Sequence, residues 1–142
     1  MRHFKIIFSL LFLFTAIICN AQNHIYKFRV KEAFYSDSLG TMETPIWKSY
    51  PDGKDILVVY DIDKKKINGY GKEIQDLSII KQSTLSDKTK GWAMDNMTCI
   101  DQSNRKCDVS LIIYTLPNKQ APYQELIIDY GPIKFKFEML FD

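Results

Sequence analysis

Apolar and polar residues take turns along most of this chain from Tyr26 onward. Tyr26, Phe28 and Val30 alternate with Lys27, Arg29 and Lys31. Ile56, Val58, Tyr60 and Ile62 mark one face of a second run, with Leu57 and Val59 on the other. A period of two is the mark of a strand with unlike faces. Asp63-Lys64-Lys65-Lys66 turns the chain, and a short strand from Ile67 ends around Gly69-Tyr70-Gly71. From Ile74 to Lys81, Leu77 and Ile79 alternate against Asp76 and Ser78. Trp92 to Ile100 and Cys107 to Thr115 flank a polar turn over 101–105. Tyr123 to Tyr130 and Ile133 to Leu140 meet at Gly131-Pro132, where proline at a strand start loses no ladder bond. In the last run Ile133, Phe135, Phe137 and Met139 face one way, and Lys134, Lys136 and Glu138 the other. No stretch shows a 3.6-residue period with caps.

About eight strands with short links favour an antiparallel meander. Its edges must be hidden, so the expected fold is all-β: a meander closed as a small barrel, with a β-sandwich as the alternative.

The start of the chain breaks this pattern. Arg2 and Lys5 precede an apolar run from Ile6 to Ile18, and Cys19-Asn20-Ala21-Gln22 follows. A basic start, a short apolar stretch and small residues before a cut form an export signal. The run has 13 residues, against about 20 for a bilayer crossing. The reading is a signal peptide over 1–21 cleaved between Ala21 and Gln22, then one β domain over 22–142. The destination is the periplasm or the exterior. Lipidation at Cys19 is the alternative, disfavoured because bulky Ile18 precedes it. Removing the leader takes away two basic residues and no acid, so 19 basic residues fall to 17, equal to the 17 acids. A neutral domain offers no electrostatic footprint for nucleic acid.

Two cysteines of the mature part, Cys99 and Cys107, are expected to form a disulfide, since oxidation persists outside the cytosol. Folding symmetrically about Ser103 places them opposite each other, as a non-hydrogen-bonded pair. Closing so short a loop contributes about 2–3 kcal/mol in the chain-entropy view. The same register pairs Met97 with Val109, Asp95 with Leu111 and Ala93 with Ile113 on an apolar face. The other face pairs Thr98 with Asp108, Asn96 with Ser110, Met94 with Ile112 and Trp92 with Tyr114. Asp95 is then an inward acid. It is either a polar anchor in a ligand cavity, or satisfied by a Lys or Tyr, or turned outward by a bulge.

The segment from Ser36 to Lys54 lacks periodicity and carries Trp47 and Tyr50 among prolines and Gly53. Long loops of this kind are often binding lids. Trp47 and Tyr50 are therefore candidate ligand contacts, against the plainer reading that they pack outside or plug the core. Asp37-Ser38-Leu39 matches a short bacterial O-glycosylation pattern at Ser38. Asn96-Met97-Thr98 fits the N-glycosylation sequon but lies mid-strand. Asp61-x-Asp63 lacks the spacing of a calcium loop and reads as a solvated turn. His24 is the only histidine after the leader, so neither a metal cluster nor a Ser-His-Asp or Cys-His arrangement assembles. No enzyme activity, metal or cofactor is expected.

The hydrophobic run, the turn from Asp61 to Ile67 and the meander strands after it resemble small calycin-type (lipocalin- or avidin-like) barrels. They also resemble exported β proteins of Gram-negative bacteria. The lipocalin Gly-x-Trp is absent from the first strand, so no ligand is carried over. The strand count, the aromatic loop and Asp95 point instead to a barrel or sandwich that binds a small apolar or amphipathic ligand. The competing expectation is an envelope accessory or inhibitor protein that works through its surface.

Overall fold

The computed structural model describes residues 24–37, 45–72, 74–114 and 123–142. The expected signal peptide and cut, Cys19 and Ser38 lie outside these residues. Nine strands follow one another: β1 (Ile25–Ser36), β2 (Lys48–Ser49), β3 (Leu57–Asp61), β4 (Lys66–Tyr70), β5 (Ile74–Asp87), β6 (Trp92–Asp101), β7 (Lys106–Tyr114), β8 (Gln124–Asp129) and β9 (Lys134–Phe141). A 3₁₀ turn, Pro51–Gly53, precedes β3.

Strands β3 to β9 pair in sequence order, all antiparallel, and β1 pairs with both β3 and β9. The sheet thus closes on itself as an eight-stranded barrel, with β2 outside it on β1. Closure rules out the sandwich alternative. The inward positions are those the alternation marked. Phe28, Val30, Val58, Tyr60, Ile67, Leu77, Ile79, Phe137 and Met139 are all buried in one core. Val59, Lys134, Lys136 and Glu138 face outward between them.

Two strands run further than their patterns suggested, and each does so through a bulge. β1 continues to Ser36 past an irregularity between Val30 and Glu32. β5 continues to Asp87 past another between Ile79 and Lys81, where the sequence alternation stopped. An extra residue restarts the period of two in the opposite phase, which hides a continuous strand from periodicity. The turns are built as their residues require. Gly131 takes φ 88° and its N–H donates to Asp129 Oδ1 at 2.7 Å. Lys65 takes φ 53° in the β3–β4 turn, where Lys64 N donates to Asp61 Oδ1 at 3.0 Å.

The β6–β7 hairpin has the symmetric register throughout, from Trp92 opposite Tyr114 to Cys99 opposite Cys107. The expected cystine is not there: both cysteines are free and buried. The site type differs from the expectation too. Asp101 N donates to the Arg105 carbonyl at 2.9 Å, so this pair is hydrogen-bonded. Pairs two residues along repeat the type, so Cys99 and Cys107 occupy the wider kind of site, with side chains further apart.

Burial pushes the Cys99 thiol from 9.0 up to about 12, with the charges of Cys107 and Asp108 adding to the shift. Burial likewise raises Cys107. The folded chain keeps protons that the unfolded chain releases above the ordinary thiol range. The folded form therefore loses stability as pH rises from about 9 to about 12. Thermal melting across that window is expected to show a falling midpoint, with a shallower fall for Cys99→Ala. Iodoacetamide near neutral pH is expected to label these thiols only after unfolding. Equal labelling of native and unfolded protein would refute the buried pair.

Candidate functional site

The inward side chains do not fill the barrel evenly. At the end where β3, β5 and β8 meet their turns with β1, β4 and β9, a cavity of about 210 Å³ opens to the surface. Its walls are Val58, Ile67, Leu77, Leu126, Ile128 and Phe137, all inward positions of β3, β4, β5, β8 and β9. Its rim carries Tyr50, Asp52, Ile56, Lys72, Gln75 and Phe135. Lys72 Nζ stands 3.3 Å from Asp52 Oδ1, an exposed pair at the rim between the 3₁₀ turn and the β4–β5 turn.

Tyr50 reaches the rim because the 3₁₀ turn is held against β1. Tyr50 N donates to the Ala33 carbonyl at 2.8 Å, and Asp55 N donates to the Val30 carbonyl at 3.0 Å. Asp55 takes φ 61° to turn the chain back into β3. Gly53 makes the contact close. A Cβ there would stand 2.4 Å from Ala33 Cβ and 2.8 Å from Tyr50 Cδ1. Tyr50 then packs 5.9 Å from the Phe135 ring and 6.3 Å, edge-on, from Tyr35. Phe135 in turn stacks on Phe137, which carries the aromatic line into the cavity wall.

The same end carries a fixed polar cluster. Asp101 accepts from Ser103 N, Arg105 N and Arg105 Nε at 2.8–2.9 Å, and from Tyr130 OH at 3.3 Å. Burial works against the Asp101 carboxylate, but the Arg105 and Ser103 donors prevail and hold its pKa below the ordinary value. The Arg105 guanidinium lies 4.9 Å over the Tyr130 ring. Tyr130 meets Phe135 edge-on at 6.5 Å, which buttresses the rim from behind.

Of the three residues expected to touch ligand, Tyr50 lines the cavity and Trp47 and Asp95 do not. Trp47 lies on the outside, where the Lys136 ammonium sits 5.3 Å from its ring and 4.7 Å from Phe34. Outward-facing Phe34 and Lys136 offer it a flat apolar and cationic bed, away from the cavity lining. Asp95 does point inward, opposite Thr84 and Leu111, but near the other end of the barrel. There Tyr60 OH donates to Asp95 Oδ2 at 3.1 Å and Thr84 Oγ1 donates to Oδ1 at 2.6 Å. Gln82 Nε2 donates to Tyr60 OH at 2.6 Å. The acid is thus satisfied by a tyrosine, and it does not line the cavity. Tyr60 is buried beneath it, and burial, with the Asp95 charge adding, raises its phenol well above the ordinary value.

Lys72, Asp52 and the aliphatic walls went unmarked in the sequence. The walls share the alternation of the solid core, and nothing in a lone sequence separates a residue beside a void from one beside a neighbour. Among the described residues, no group of three or more His, Cys, Asp or Glu side chains is placed to hold a metal ion. No helix among them is long and apolar enough to cross a membrane.

No protein-family model, curated protein or solved structure matches this chain.

Two substitutions separate the ends of the barrel. Asp95→Asn is expected to lower stability by about 1–3 kcal/mol, because it disturbs hydrogen bonds to a charged group. Denaturant titration measures that loss, and ligand uptake at the far cavity should not change. Gly53→Ala must lift the 3₁₀ turn off Ala33, at a cost of about 1–3 kcal/mol. Amide exchange at Tyr50 should then accelerate; an unaltered rate would show that the contact is not needed.

Proposed function

We propose that this chain is an exported β-barrel that binds a small amphipathic molecule, with its apolar part in the cavity and its polar end at Lys72, Asp52 and Gln75. The observation that carries this reading is the open cavity walled by inward apolar side chains of five strands. Voids lined by apolar groups cost stability in proportion to their volume, so an interior that keeps one gains from an occupant. Apolar walls with a few polar groups at one rim are the usual make-up of a ligand site.

Size and electrostatics narrow the class. About 210 Å³ lies below the roughly 300–1,000 Å³ of drug-sized pockets. A short acyl chain or a single ring fits such a space; a sterol or a large cofactor does not. The rim pair is exposed on both sides, and exposed pairs contribute only about 0–1 kcal/mol. An incoming carboxylate or hydroxyl can therefore take over Lys72 or Asp52 at little cost. The leader supports export, since its basic start, short apolar run and small residues before Gln22 match a cleaved signal.

The test is methyl-labelled NMR of the mature protein titrated with octanoate and with octanol. Shift changes are expected at Ile67, Leu77, Leu126 and Ile128, and none at Leu85 on the exposed far stretch of β5. Leu126→Phe, which fills the space with a larger apolar group, should abolish the changes while the protein still melts cooperatively. Octanoate should bind more tightly than octanol if Lys72 meets the head group, and Lys72→Gln should remove that preference. Saturating ligand that moves no cavity methyl would defeat the proposal.

A further inference from the structure

Among the described residues the barrel hides every long strand edge but one. β4 pairs with β5 only over Ile74–Ser78, and the last contact on that side is Ile79 N donating to the Lys65 carbonyl at 2.9 Å. Past the bulge at Ile80, β5 runs on for seven residues, Lys81–Asp87, paired with β6 alone among the described residues. This stretch is exposed nearly throughout. Leu85 is 55% exposed and Ile80 54%.

The direction of the backbone groups along this edge follows from the ladder. Asp101 N bonds across to β7, so odd-numbered residues of β6 turn their main-chain groups toward β7 and even-numbered ones toward β5. Lys81, Ser83, Leu85 and Asp87 lie opposite Thr98, Asn96, Met94 and Trp92, and bond to β6. Gln82, Thr84 and Ser86 therefore present their N–H and C=O groups to the open side. Three donors and three acceptors stand in a row, a template for strand addition.

We propose that this edge pairs with the same edge of a second copy, antiparallel about Thr84, to give a two-fold dimer. In that register Thr84 meets its own counterpart and Gln82 meets Ser86 of the second copy, which makes six main-chain hydrogen bonds. Lys81 falls opposite Asp87 of the second copy, twice, on the outer face. The charges complement each other because the segment carries its cation at one end and its anion at the other. Between them Gln82, Ser83, Thr84, Leu85 and Ser86 are uncharged, so no like charges meet near the axis. Among the described residues Lys81 makes no ion pair within its own chain. Asp87 uses Oδ1 for Thr89 and Lys90, while Oδ2 has, among the described residues, Lys90 Nζ at 3.9 Å. The two Leu85 side chains become diagonal neighbours across the axis, within mutual reach. A self-complementary patch of this kind closes as a two-fold dimer and does not propagate.

Sedimentation velocity of the mature protein over a concentration series tests the proposal. The wild type is expected to shift from monomer to dimer as concentration rises. Amide exchange in the dimer should slow at Gln82, Thr84 and Ser86. Ser86→Pro removes an edge donor without touching the bonds to β6, and should leave a folded monomer. Lys81→Glu sets like charges opposite each other and should do the same, whereas Lys88→Glu, in the turn, should still dimerise. A wild type that stays monomeric at every concentration overturns the proposal, including one that purifies with a foreign strand on this edge. So does a dimer that survives both edge variants.

Discussion

Both long edges of β1 are occupied, and the rest of the molecule depends on it. One edge takes β3 and then β2; the other takes β9. With that strand paired twice the sheet has an inside, and alternation along each strand becomes a choice between core and solvent. A ring of eight strands is just wide enough for side chains to meet across it. Phe28, Val30 and Met139 meet there with no exposed surface. A slip of one residue between β1 and β9 would turn Phe28 and Val30 outward and Arg29 inward, so the burial pattern fixes the register.

The interior then divides along its length. Near one end Tyr60 lies between the aliphatic core and a small hydrogen-bonded set of Asp95, Thr84 and Gln82. Near the other the packing is incomplete, and aliphatic walls surround a space closed only partly by Tyr50 and the exposed pair of Lys72 and Asp52. The polar end is satisfied by its own side chains and has little left to offer a ligand. The apolar end has unfilled volume and a rim whose charges are weakly held.

The alternation from Tyr26 to Leu140 was enough to read the strand order, the inward faces and the whole register of the β6–β7 hairpin. These depend on local period and turn chemistry, which a sequence displays. Three things were not readable, each for a physical reason. Bulges at 30–32 and 79–81 reset the phase of alternation, so β1 and β5 looked shorter than they are. The position of Asp95 along the barrel axis depends on strand stagger, so an inward acid was legible but its distance from the cavity was not. The cavity itself is a shortfall of volume summed over five strands, and no single residue carries it. Trp47 and Tyr50 sit three residues apart and looked alike. One backbone bond to Ala33 seats the tyrosine at the rim, while β2 pairing leaves the tryptophan outside.

The seam between β1 and β9 joins the first strand of the domain to its last. Arg29 and Asp142, 113 residues apart, pair across it at 3.1 Å. A chain emerging from the ribosome therefore cannot complete its ring until β9 has appeared. Up to that moment its leading strand lacks one neighbour, and contacts of such long range form slowly. Until β9 arrives the sheet keeps two free edges, so closure is one late event that buries both at once.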